Sequence, residues 1–67
     1  MMVDVNLHEY DNGRVGRWFD SYTMPVPRVG EIIITKNYNF LVKEIRYQLD
    51  GPRNARLKWV DVLVKII

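Results

Sequence analysis

Apolar and polar residues alternate at the start of the chain, where Val3, Val5 and Leu7 are separated by polar side chains. A period of two is typical of a half-buried strand, so the pattern predicts a first strand over residues 2–10. An Asn-Gly pair follows at positions 12–13, and it favours a tight hairpin turn because both residues accept a positive φ. The chain is therefore predicted to reverse there.

Residues 14–27 show no clear period, because Gly16 and two prolines interrupt the apolar positions. We predict a long, aromatic-bearing loop or a ragged hairpin over this segment, with a short returning strand near residues 17–22. Loops of this size inside a compact domain are more often functional than merely connecting. This segment is therefore the first place to look for a site.

The clearest hairpin in the pattern joins a strand over residues 31–35 to a strand over residues 38–49 through a polar turn. A Gly before the first of these strands allows a sharp entry. In the second strand the apolar positions change parity near Lys43 and Glu44, which predicts a β-bulge, since a strand changes faces only through an inserted residue or a bend.

The last predicted strand covers residues 56–66, after a turn at residues 50–54. Its apolar positions change parity between Trp59 and Val60, so it is predicted to bend as well. The chain ends on two isoleucines, which would be poorly placed in water. They indicate that the last strand either pairs with the first strand, closing the sheet into a barrel, or pairs with another subunit.

This order of elements resembles the SH3-like small β-barrels. The similarity lies in the first strand, the long segment after it, the Val-Gly-Glu turn at positions 29–31 and the bent strands. In particular, the chain is similar to short barrel proteins that bacteriophages and mobile elements encode. The resemblance implies an all-β fold, a single partly open barrel of about five antiparallel strands, that works by binding.

Length and composition agree with one domain over residues 1–67, because a chain of 67 residues is too short for a second core. It has no cysteine, which permits a reducing compartment. No signal pattern or long apolar run is present, so we expect a cytoplasmic protein without a membrane partner. The net charge of +2 is uneven: residues 1–33 carry three Arg against five acids, and residues 34–67 carry seven Lys and Arg against three.

Candidate catalytic chemistry is sparse in the sequence. His8 is the only histidine and Ser21 the only serine, and no spacing ties one to the other. The acids are scattered singly, without the paired spacing of general acid–base catalysis or a carboxylate metal site. We therefore predict a protein that is not an enzyme, with no catalytic residues, no cofactor and no metal.

Two groups of residues are candidates for ligand binding. The first combines cations with aromatic rings in the long segment: Arg14, Arg17, Trp18, Phe19 and Tyr22. Such groups hold nucleotides and single-stranded nucleic acids, because rings stack on bases and Arg pairs with phosphates. The alternative is that the rings cap the open end of the barrel. The second group surrounds the last turn: Arg53, Arg56, Lys58 and Trp59. In a regular strand Arg56 and Lys58 share a face, where they would contact phosphates or protect an exposed edge.

Three functional hypotheses follow. The first is a barrel that binds an anionic ligand, nucleic acid or nucleotide, through both groups. The second is a protein-interaction module, an adaptor or inhibitor of a host protein, that acts through a strand edge or exposed aromatic residues. The third is a homo-oligomer whose joined subunits form a pocket.

Overall fold

The computed structural model describes residues 1–53 and 55–67, and it is an all-β fold. Its five strands are β1 (Val3–Asp11), β2 (Arg14–Met24), β3 (Ile32–Ile34), β4 (Asn39–Asp50) and β5 (Arg56–Ile66). They form one sheet in the order β2-β1-β5-β4-β3, and the sheet curls into a half-barrel. The small, partly open barrel expected from the sequence is confirmed. Among the described residues, no helix is long and apolar enough to cross a membrane.

The central strand β5 pairs with β1 on one side and with β4 on the other. The last strand therefore closes the sheet against the first, which was one of the two predicted alternatives. However, β1 and β5 run parallel, with Val5 opposite Val60 and Leu7 opposite Val62, whereas the other three pairings are antiparallel. The sheet is thus mixed, and the expectation of antiparallel strands throughout is corrected at this pair.

Residues 14–24, directly after the first turn, form a strand and not a loop. β2 extends over eleven residues and pairs with β1 from Val3 opposite Met24 to Asp11 opposite Arg14. The turn between them has Asn12 at φ 50° and Gly13 at φ 83°, as the Asn-Gly pair predicted. The prediction of a long loop is therefore wrong, and the alternative of a ragged hairpin is confirmed by two register shifts in β1.

The interruption at Gly16 has a packing reason. A Cβ at this position would lie 2.8 Å from the main-chain oxygen of Glu9. Glycine allows the backbones of β1 and β2 to approach closely where the register shifts. The same residue that obscures the strand pattern in the sequence thus permits the strand in the structure.

Both predicted bends are present as register irregularities between β4 and β5. One lies between Val42 and Glu44 of β4, and it leaves Lys43 outside the regular pairing. The other leaves Lys58 of β5 between the pairs Leu49–Leu57 and Gln48–Trp59. The parity change near Lys43 is confirmed, and the second lies one or two residues before its predicted place. Asn54, part of the predicted last turn, lies outside the described residues.

The sheet has an inner face and an outer face. The inner face carries the core, whose fully buried members are Val5, Leu7, Phe40, Val42, Val60, Val62 and Val64. Phe40 is 2% exposed, and its ring lies 4.9 Å from that of Phe19 on β2 and 5.7 Å from that of Tyr38 beside β3. Aromatic contacts across the inner face therefore bring the two edges of the curled sheet together.

Candidate binding surface

The outer face of the sheet carries a polar row that crosses four strands. Ser21 of β2, Asn6 of β1 and Asp61 of β5 occupy directly opposite positions. The Ser21 hydroxyl donates to Asn6 Oδ1 at 2.5 Å, and Asn6 Nδ2 donates to Asp61 Oδ1 at 3.4 Å. Gln48 Nε2 of β4 donates to Asp61 Oδ2 at 3.0 Å. We call these four residues the polar row.

Asp61 lies at the centre of the polar row and is only 9% exposed. A buried carboxylate needs several donors because loss of water penalises its charge. Besides Asn6 and Gln48, His8 Nε2 lies 3.3 Å from Asp61 Oδ1. The carboxylate is therefore surrounded by donors on both neighbouring strands, and it fixes the side chains around it.

His8, predicted to face the polar side of β1, is partly buried against Asp61, with 19% of its side chain exposed. Its Nδ1 is buried without a hydrogen-bond partner among the described residues. The Ser21 hydroxyl contacts Asn6 and not His8, so the arrangement does not form a serine–histidine pair.

Next to Asp61, the paired side chains of Arg46 and Glu44 form a second polar group on the outer face, near the buried Leu63. Arg46 pairs with Glu44 on β4, and its Nη2 donates to the Gly13 carbonyl at 2.5 Å in the β1–β2 turn. Since β5 lies between these elements, the Arg46 side chain crosses above it. This explains how Leu63 is fully buried on the face opposite the core.

Two exposed tryptophans flank the polar row. Trp18 on β2 is 56% exposed, and its indole Nε1–H donates to the Ser21 hydroxyl at 3.2 Å. Trp59 on β5 is 37% exposed and occupies the position two residues before Asp61, which places it on the same face. The two indoles and the hydrogen-bonded residues between them form a platform of aromatic and planar polar groups.

A shallow groove of about 350 Å³ lies between Trp59 and β2. Its lining consists of Asp4, Asn6, Ser21, Tyr22, Thr23 and Trp59. The Thr23 hydroxyl donates to Asp4 Oδ1 at 3.3 Å, so the carboxylate at the rim is held in place. Tyr22 lies opposite Val5 of the core, so its side chain is on the inner face. Partial burial, together with the adjacent Asp20 carboxylate, raises the pKa of its phenol.

The first predicted group is divided between the two faces. Trp18 is on the outer face, whereas Phe19 packs against the core, as its alternative interpretation as a barrel cap requires. Arg17 lies 4.6 Å from the centre of the Phe19 ring and Arg14 is exposed opposite Asp11. Arg17 directly precedes Trp18, so strand alternation places it on the opposite face from the Trp18 indole.

The second predicted group is also interrupted. Arg56 lies opposite Asp50, and the irregularity at Lys58 breaks the alternation that would give Arg56 and Lys58 one face. Lys58 Nζ instead lies 5.4 Å from the centre of the Trp59 ring. Arg53 is exposed in the turn before β5. The structure thus places Trp18 and Trp59 on the outer face beside the polar row, and leaves the arginines elsewhere. Tyr22 borders the groove but lies opposite Val5, on the inner face.

The sequence did not indicate the polar row, because its members come from four strands. Asn6 and Asp61 are 55 positions apart, and they meet only through the parallel pairing of β1 with β5. The available signal was a polar residue, Asp61, inside the Val-rich final strand. A charge in a buried strand needs a partner, which could have pointed to Asn6 and His8 on β1.

A second groove, of about 400 Å³, lies at the other end of the sheet. Glu9, Tyr10, Asn12, Lys43, Lys65 and Ile66 line it. Lys43 Nζ, released from regular pairing by the bulge, lies 5.7 Å from the centre of the Tyr10 ring. This groove, which we call the lysine groove, combines two cations and one carboxylate, Glu9, with one aromatic ring and one amide.

Comparison with known proteins gave no match to a family model, to a curated protein or to a solved structure.

Proposed function

We propose that this chain is a small, non-enzymatic protein-interaction module and that its partner binds on the outer face, over the groove and the two tryptophans. The observation that carries the proposal is the pair of exposed indoles, Trp18 and Trp59, on either side of an internally hydrogen-bonded row. Tryptophan dominates the energetics of many interfaces when it lies beside a rigid pocket.

The size of the groove supports a protein partner. At about 350 Å³ it lies near the lower limit for small-molecule pockets, and it accommodates one side chain of a partner. The row beneath it is fixed by its own hydrogen bonds, so little conformational entropy is lost when a partner docks. A preorganised platform of this kind favours binding without rearrangement.

The charge of the groove determines the chemistry of the partner. Asp4 lines it, and Asn6 in its lining is hydrogen-bonded to the Asp61 carboxylate. A phosphate would be repelled by these acidic groups, whereas a basic side chain would be attracted to them and a polar side chain could hydrogen-bond to them. We therefore expect a protein surface that inserts a basic or polar side chain.

Alanine substitution of the tryptophans tests the proposal. Trp18→Ala and Trp59→Ala are each expected to weaken binding of the partner by roughly thirtyfold, the equivalent of about 2 kcal/mol for an interface hot spot. Binding is measured by titration with the partner captured from cells that express the chain. Tyr47→Ala is the matched control, since Tyr47 is 57% exposed but opposite Val60 of the inner face. A partner that binds both tryptophan variants as tightly as the wild type contradicts the proposal.

The lysine groove supports a second candidate function, the binding of an anionic ligand such as a nucleotide or single-stranded nucleic acid. The specific observation is that Lys43 and Lys65 line one groove with the Tyr10 ring. Cations beside a partly exposed ring are groups that contact phosphates and stack on bases. The two lysines therefore support the lysine groove, and not the two predicted groups, as the candidate site for an anionic ligand.

Titration with a single-stranded oligonucleotide at increasing salt examines this candidate. Replacing Lys43 and Lys65 by Gln is expected to lower the slope of log affinity against log salt by about two, because two phosphate contacts are lost. The matched control replaces Arg56 and Lys58 by Gln, with the slope unchanged. Equal slopes for the lysine variant and the wild type rule out this groove as the phosphate site.

A further inference from the structure

The two edges of the sheet are protected to different degrees. β2, at one edge, carries Arg14, Arg17 and Asp20 and has register shifts against β1, and such features discourage pairing with another strand. β3, at the other edge, consists of three isoleucines without a charge or proline. Ile32 is 57% exposed and Ile34 is 77% exposed. The unprotected edge of the molecule is therefore β3.

The hydrogen bonds around β3 show which main-chain groups point outward. The Thr35 N–H donates to the Tyr38 carbonyl, and the Val42 N–H donates to the Glu31 carbonyl, so residues 31 and 35 bond toward β4. Antiparallel pairing alternates, and Ile33 lies opposite Phe40 with the same inward direction. The N–H and C=O groups of Ile32 and Ile34 consequently face away from the sheet.

We propose that β3 pairs antiparallel with β3 of a second copy of this chain about a two-fold axis at Ile33. This arrangement sets Ile32 opposite Ile34 of the other copy, and the outward N–H and C=O groups of both residues then hydrogen-bond across the axis. The two sheets become one continuous sheet of ten strands. Both copies contribute the same residues of the same strand edge to this contact, which is the isologous geometry that a two-fold dimer requires.

Side chains and charge favour the same arrangement. In the dimer, the side chains of Ile32 and Ile34 pack against each other and lose contact with water. In a single copy both side chains stay exposed at the sheet edge. Glu31 precedes β3 and Lys36 follows it, so antiparallel pairing brings the acidic end of one copy beside the basic end of the other. Parallel pairing would place like charges together.

The length of β3 limits the strength of this dimer. Three residues bury much less than the ~800 Å² per partner of a standard interface, so we expect a concentration-dependent equilibrium and not a permanent dimer. The surface is separate from the groove beside Trp59, and the dimer does not depend on the proposed function.

Sedimentation equilibrium of the purified chain up to ~1 mM tests the dimer. The wild type is expected to reach dimer mass, and Ile34→Lys to dimerise at least tenfold more weakly, since a charge on an edge strand blocks pairing. Val15→Lys is the matched control, because Val15 is an exposed apolar residue on the opposite edge strand, and it is expected to dimerise like the wild type. A wild type that stays monomeric, or equal dimerisation of Ile34→Lys, overturns the proposal.

Hydrogen exchange on the wild type gives a readout that needs no variant. The amides of Ile32 and Ile34 are expected to gain protection as concentration rises, while the inward amide of Ile33 stays unchanged. Protection of these two amides that does not depend on concentration overturns the two-fold pairing.

Discussion

Phe40→Ala is expected to remove a third or more of the free energy of unfolding at 25 °C, roughly 3–5 kcal/mol. Removing a buried phenylalanine side chain costs about 3–5 kcal/mol, and a domain of this size has about 3–10 kcal/mol of stability in total. Phe40 is 2% exposed, lies opposite Ile33 and Ile66 in the sheet, and contacts the ring of Phe19. Its loss therefore removes both core packing and the contact that holds β2 against the β3 side of the half-barrel.

Urea unfolding followed by circular dichroism measures this effect. The matched control is Tyr47→Ala on the same strand, which is expected to change stability by no more than about 0.5 kcal/mol because Tyr47 is 57% exposed. If Phe40→Ala unfolds at nearly the wild-type urea concentration, the aromatic contacts across the inner face do not hold the two edges together.

Asp61→Ala is expected to lower stability by about 2–4 kcal/mol, because it leaves buried donors without an acceptor. Asn6 Nδ2 and Gln48 Nε2 lose their hydrogen bonds, and His8 Nε2 loses its neighbouring carboxylate. These side chains are partly buried, so water replaces the carboxylate incompletely. The polar row then no longer connects β1, β5 and β4.

Asp61→Asn separates this effect from a simple loss of charge. Its oxygen still accepts from Asn6, and its amide donates to Gln48 once the Gln48 amide turns its oxygen toward it. Asn at position 61 is therefore expected to retain most of the stability that Ala loses, in the same urea measurement. Equal losses for Asn and Ala would show that the charge, and not the hydrogen-bonded row, stabilises the sheet.

The bends of β4 and β5, the limits of β5 and the first turn could be predicted because they depend on local patterns. The parity change at Lys43 marks the observed irregularity between Val42 and Glu44, and the last strand was predicted at its observed limits. The Asn-Gly turn was predicted because only residues that accept positive φ fit a two-residue hairpin.

What could not be predicted depends on contacts between distant segments. β2 was predicted only as a short strand within a loop or ragged hairpin because Gly16 interrupts its pattern. The reason for that glycine is the close approach of the Glu9 backbone. The parallel pairing of β1 with β5 has no local signal, and without it Asn6 and Asp61 cannot be placed together. The binding surface was therefore predicted only in part, through Trp18 and Trp59.

A ¹H–¹⁵N NMR titration with the protein partner tests the proposed interaction surface most directly. The chain has two tryptophans, and the indole N–H of Trp18 reports on the polar row through its bond to Ser21. We predict that both indole resonances shift on binding, together with the amides of β2 residues 21–23. Unchanged indole resonances, with shifts confined to β3 or to the lysine groove, would contradict a partner bound on the outer face.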